Sequence, residues 1–103
     1  MEYVKFEVYL PEEFLAPLRE ELNKHKLLGE GKYDMVTSWM PVQGSWRPLA
    51  GAKPFNGTVG EVCTASEVKL EFRCPAAQVA QAKRIIRKIH PYEEPVINVL
   101  ALL

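Results

Sequence analysis

The sequence predicts an α+β fold in which strand, helix and strand follow one another twice. Three observations lead there. Two stretches alternate apolar and polar residues with the period of a half-buried strand, two others space apolar residues as one face of a helix, and the last eight residues are apolar almost throughout.

In residues 3 to 10, Val4, Phe6, Val8 and Leu10 fall on one face and Tyr3, Lys5, Glu7 and Tyr9 on the other, which defines the first strand. Pro11-Glu12-Glu13 opens a helix with acids in its first turn, and Leu15, Leu18 and Leu22 follow at helical spacing. Pro17 predicts a bend or a loose first turn, since proline in a helix interior costs roughly 3 kcal/mol. Lys24 and Lys26 favour the helix end, and Gly29 and Gly31 release the chain. Residues 34 to 41, with Val36 and Trp39, read as a second strand stopped by Pro41. After a stretch rich in glycine and proline, Val68, Leu70, Phe72 and Cys74 alternate with Glu67, Lys69, Glu71 and Arg73 in the clearest strand of the chain. Pro75 suits a first helical turn, and Val79, Ala82, Ile86 and Ile89 form one apolar face of a second helix that Pro91 stops near His90. Val96 to Leu103 forms a last strand that is apolar on both faces apart from Asn98.

This βαββαβ order is that of a ferredoxin-like sandwich, an antiparallel sheet with two helices on one face and, here, an extended arm between strands two and three. Two helices cover one face of four strands. The doubly apolar last strand and the tyrosines on the other face of strand one predict that further copies of the chain cover the second face. A homo-oligomer is expected.

Bulk properties bound the function. At 103 residues, 48% hydrophobic and 25% charged, the chain is expected to form a single soluble globular domain over residues 1–103. Lys plus Arg and Asp plus Glu balance at 13 each, which disfavours nucleic acid and anionic membranes as partners. The opening residues lack the basic start and apolar run of a secretory signal, and no apolar run reaches the ~18 residues of a membrane span, so a cytoplasmic location is expected. Cys63 and Cys74 lack metal or redox spacing and read as reduced, small apolar residues. No cofactor or metal is implied.

Two segments carry what specialisation there is: Gly44-Ser-Trp-Arg-Pro-Leu-Ala-Gly-Ala-Lys-Pro-Phe-Asn-Gly57 and His90-Pro-Tyr-Glu-Glu-Pro95. The pattern continues to Gly60. Together with the opening Tyr-Val-Lys-Phe-Glu-Val-Tyr-Leu-Pro-Glu-Glu it resembles the insertion domain of the NIF-three (NGG-interacting factor three, YqfO-type) family, and the likeness spans essentially the whole sequence. The resemblance implies a fold similar to the CutA and PII proteins, which are ferredoxin-like trimers, and hence a homotrimer. In that family a larger two-lobed body binds a pair of metal ions and earns some members the label GTP cyclohydrolase. With two histidines in all, His25 and His90, this chain does not carry that site, and its activity is not transferred.

Two functional readings stay open. The preferred one is a non-enzymatic oligomeric module that binds a small ligand or a protein partner at clefts between subunits, using His90, Tyr92, Glu93, Glu94, Trp46 and Arg47. On the long excursion between strands two and three, Arg47 offers a fork for a carboxylate or phosphate and Trp46 a stacking surface, beside Phe55. The plainer reading makes the excursion an arm whose aromatics pack on a neighbouring subunit. The alternative function is a metal-dependent or acid-base enzyme, or a metal-binding protein, centred on His90, Glu93 and Glu94, whose residue types suit either task. Against it stands a structural corner: prolines fixing a turn, a protonated His90 favoured by the helix C-terminus, and glutamates bonding backbone amides. No nucleophile motif or phosphate loop marks a catalytic residue. Lys83, Arg84, Arg87 and Lys88 read as a solvated helix face.

Overall fold

The protein is described by a computed structural model covering residues 2–103. Strand β1 (Tyr3–Leu10) leads through a 3-10 turn to helix α1 (Leu15–Lys24), strand β2 (Ser38–Trp46) and strand β3 (Cys63–Pro75); a second 3-10 turn precedes helix α2 (Val79–Ile89), and strand β4 (Ile97–Ala101) follows. All pairings are antiparallel, and the sheet order β2-β3-β1-β4 is that of a ferredoxin-like sandwich. The alternating apolar residues of β1 and β3 meet Leu15, Leu18 and Leu22 of α1 and Ala82, Ile85 and Ile86 of α2 in one core, with Phe6 and Phe72 stacked at 4.9 Å.

Pro17 is accommodated without a break. The α-helix begins two residues before it, after the 3-10 turn at Glu12–Phe14, so its missing N–H falls in the first turn, where no intrahelical partner exists. At the other end Lys26, at φ 61°, reverses the chain. Its amide bonds the Asn23 carbonyl and that of Leu27 the Leu22 carbonyl, a Schellman-type stop three residues before the first glycine expected to release the helix.

The second strand departs most from expectation. It runs from Ser38 to Trp46 rather than over residues 34 to 41, straight through Pro41. Two causes act. Residues 34–37 are drawn to α1: Asn23 bonds Asp34 and the Met35 amide, Arg19 bonds Thr37, and Met35 takes a left-handed φ of 55° that no strand contains. Pro41 is tolerated because β2 is an edge strand, where a missing donor need not interrupt a ladder. Trp46 therefore ends β2, opposite Cys63, instead of lying on the excursion. Strand β3 is extended likewise; its 13 residues at about 3.3 Å each account for most of the molecule's 47 Å long axis.

The last strand is shorter than predicted, Ile97–Ala101, and leaves Val96 55% and Leu100 41% exposed. The uncovered sheet face is not apolar at its centre, however. Lys5 and Lys69 each pair with both Glu7 and Glu71 at 3.3–3.6 Å, and Arg73 lies over the Tyr3 ring at 4.4 Å while bonding Glu30. Partial burial opposes ionisation of Glu7, but hydrogen bonds from Asn98 and Lys69 outweigh it and hold its carboxyl below the ordinary range. Of the basic residues on α2, Arg84, Arg87 and Lys88 are exposed and Lys83 is half-buried. Among the described residues no helix is long and apolar enough to cross a membrane.

Candidate functional site

The two specialised segments meet in space. Pro91 fixes His90 in an extended conformation (ψ 132°), so α2 stops there and the chain turns towards β4 across the end of β1. The 47–62 excursion folds back against this turn. Between them lies a cleft of about 510 Å³, lined by Trp46, Arg47, Phe55, Tyr92, Glu93 and Glu94 together with Tyr9, Gly44, Glu67 and several apolar residues. Five of the six residues expected from the sequence thus line one cleft, and this cleft forms within a single chain.

His90, the sixth, is buried behind the wall and is committed structurally. Its Nε2 faces the Tyr9 carbonyl at 2.6 Å and its Nδ1 accepts the Tyr92 backbone N–H at 3.2 Å. A carbonyl only accepts and an amide only donates, so the imidazole is the neutral tautomer with its proton on Nε2. Burial, the largest influence, pushes its pKa below the ordinary 6.5, although the Tyr9 carbonyl and the Glu67 charge favour the protonated form. The expected protonated histidine on a helix dipole is therefore replaced by a neutral one bridging β1 to the turn. Neither nitrogen is left for a metal, and among the described residues no three His, Cys, Asp or Glu side chains gather to hold one.

Tyr92 is the centre of the site. Its ring lies 5.5 Å from Trp46, 6.1 Å from Phe55 and 4.8 Å from His90, and Phe55 in turn meets Phe14 edge-on at 5.9 Å. Its hydroxyl donates to Glu67 Oε2 at 2.8 Å. Burial and the adjacent carboxylate both raise the phenol's pKa above the ordinary 10, so the hydroxyl stays a donor. Glu67 is only 6% exposed. Its other oxygen, Oε1, rests over Gly44, where any β-carbon would collide with the carboxylate.

The excursion is fastened at two points. Trp46 Nε1–H donates to the Asn56 carbonyl at 3.0 Å, above Gly57, whose φ of 108° and close approach to the indole suit glycine alone. Glu93 Oε1 accepts the Lys53 amide at 2.7 Å, so one glutamate of the turn does bond backbone, forty residues away in sequence. Arg47 is exposed at the rim and forms no ion pair among the described residues. Cys63 and Cys74 are free thiols, and burial raises the pKa of Cys74.

Sequence reasoning missed Glu67. It shares the alternation of Lys69 and Glu71 and looks like one more solvated acid; the register pairs it with Val42 and makes Gly44 its diagonal neighbour on the same face, and only the folded structure shows its carboxylate lying on that bare backbone.

Comparison with known proteins agrees with this architecture. Residues 58–103 match the model of the CutA1 divalent ion tolerance protein family. A protein of Staphylococcus aureus named GTP cyclohydrolase 1 type 2 homolog is 30% identical over 100 residues, 97% of this chain but 27% of its own length. The chain spans about a quarter of such relatives. A Bacillus cereus protein related to NIF3 superposes with a TM-score of 0.84 at 25% identity, over 98% of this chain and 26% of its own. The PII-like protein CutA of a Nostoc species superposes at 0.68 with 22% identity, over 99% and 81%. Along nearly all its length the chain has a CutA/PII-like fold and is similar to the corresponding quarter of NIF3-type proteins.

Proposed function

We propose that this domain is a non-enzymatic binding module that assembles as a homotrimer and holds a small ligand or a segment of a protein partner in the cleft between the 47–62 excursion and the 90–95 turn. The observation that carries the reading is the cleft itself: about 510 Å³, walled mainly by apolar and aromatic side chains with a few convergent polar groups, as in small-molecule sites generally. His90, Tyr92, Glu93, Glu94, Trp46 and Arg47 are the proposed site residues. Five act at the cleft surface, and His90 acts from behind by fixing Tyr92. Assembly is supported by the exposed Val96 and Leu100 at the β4 side and by the open β2 edge, which leaves an unpaired ladder. The similarity to CutA and PII-like proteins points the same way, and a cytoplasmic setting fits the two free thiols.

Light scattering on a size-exclusion column tests assembly, with a trimeric mass expected and a monomeric mass at micromolar concentration overturning it. Amide and indole resonances recorded during titration with candidate ligands test the cleft, where shifts must concentrate on residues 46–56, 67 and 92–94.

A further inference from the structure

We propose that the cleft is built for an organic cation, a quaternary or protonated amine on a compact apolar body. This deepens the binding-module reading and rests on it. Three features of the walls converge. The first is aromatic: Trp46, Phe55 and Tyr92 stand 5.5 and 6.1 Å apart at interplanar angles of 50° and 45°. Rings so tilted do not cover one another's faces, and Phe55 remains 53% exposed, so π-faces are left along the cleft to meet a positive charge.

The second feature is charge. Glu67, Glu93 and Glu94 line the cleft against one cation, Arg47, so its walls are acidic in a chain that is neutral overall. The third is the state of Glu67. A carboxylate 94% buried is ordinarily paired with a cation or fully hydrogen-bonded. Here Tyr92 satisfies Oε2, while Oε1 lies over the bare backbone of Gly44 and takes no hydrogen bond among the described residues. Among the described residues no fully buried side-chain oxygen lacks a partner, so Oε1 keeps some accessible surface, and Glu67 is one of the residues that line the cleft. A cation there would meet the charge that the protein itself leaves unpaired. The frame is preorganised, because Trp46 is held by Asn56, Tyr92 by Glu67 and His90, and Glu93 by Lys53.

Three probes of nearly one shape and three charges decide it: choline, the neutral 3,3-dimethylbutan-1-ol, and the anionic 3,3-dimethylbutanoate. Each is titrated into the intact protein while the Trp46 indole N–H and Tyr92 amide resonances are followed. Choline is expected to bind at least about tenfold more tightly than the neutral alcohol, the order of a desolvated cation–π contact, with the anion weaker still. Glu67→Gln keeps an acceptor for Tyr92 and should weaken choline severalfold while leaving the affinity of the alcohol unchanged. Equal binding of choline and the alcohol, tightest binding of the anion, or full choline affinity in Glu67→Gln overturns the cation assignment while leaving the cleft a binding site. If none of the three probes moves the Trp46 or Tyr92 signals, the cation assignment and the cleft reading fall together.

Discussion

Tyr92→Phe deletes one oxygen atom and leaves the aromatic packing of the site intact, so it isolates a single bond. The Tyr92 hydroxyl is the one side-chain donor that Glu67 has among the described residues, at 2.8 Å, and Glu67 is 6% exposed. Removing a partner from a buried charged acceptor costs more than the net value of a neutral hydrogen bond, and about 2 kcal/mol is expected. For a domain of this size that lowers the melting temperature by on the order of 10 °C. The informative measurement is a double-mutant cycle with Glu67→Gln, by urea unfolding at fixed protein concentration because assembly would make stability concentration-dependent. In the Gln background the same deletion breaks only a neutral bond, so its cost should fall to about 1 kcal/mol. Should Tyr92→Phe lie within ~0.5 kcal/mol of the parent, or cost the same in both backgrounds, the buried charge-assisted bond at the centre of this site does not exist in solution.

Acid should act through His90. Its folded pKa lies below the ordinary 6.5, so the folded state takes up its proton later than the unfolded one; the stability this provides is full above about 6.5 and is lost as pH falls from there through the folded value. His90→Gln should flatten that limb of a stability-versus-pH curve, while the lower-pH loss from carboxylates such as Glu7 persists; an unchanged limb would mean that another group titrates. Trp46→Ala removes the indole that packs on Tyr92 and bonds Asn56, with an expected loss of ~3 kcal/mol or more and faster proteolysis within 47–62; resistance equal to the parent argues that the excursion is held elsewhere. Gly44→Ala drives a β-carbon into the Glu67 carboxylate and, by displacing it from Tyr92, should lower the melting temperature about as much as Tyr92→Phe and weaken choline binding as Glu67→Gln does; unchanged stability and choline affinity would show that the carboxylate does not rest on Gly44.

The elements legible in the sequence were those whose pattern comes from one-sided burial. The alternation in β1 and in the helix-covered part of β3, and the Ala82 and Ile86 stripe of α2, correspond directly to buried positions. What was not legible depended on partners far away in the chain. Residues 34–37 carry a strand-like Val36, yet Asn23 and Arg19 of α1 claim them; Pro41 looks like a stop, yet sits at an edge. The first residues of β3, Cys63 to Ser66, lack apolar alternation because they pair only with β2 and lie outside the helix-covered core. The 90–95 motif was recognisable as special from its residue types. The role of its histidine was not, since protonation state follows from a carbonyl on β1 and an amide two residues on.

The length of the β2–β3 hairpin has a consequence for how the molecule opens. Near its base the hairpin is backed by α1 and α2, but Gln43–Trp46 and Cys63–Ser66 lie outside that core and are held by one ladder, the Gln43–Ser66 bond and the contacts of Trp46 with Asn56 and Tyr92. A two-stranded ribbon is marginal in water, so this outer half should unzip on its own well below the free energy of global unfolding, and its amides should exchange with solvent faster than those of Val68 to Cys74. A second copy lying along the ribbon would erase that difference. Hydrogen exchange at these few amides is therefore a local gauge of assembly, readable without resolving the oligomer, and it shows whether the cleft is a standing cavity in the lone chain or one that neighbours hold open.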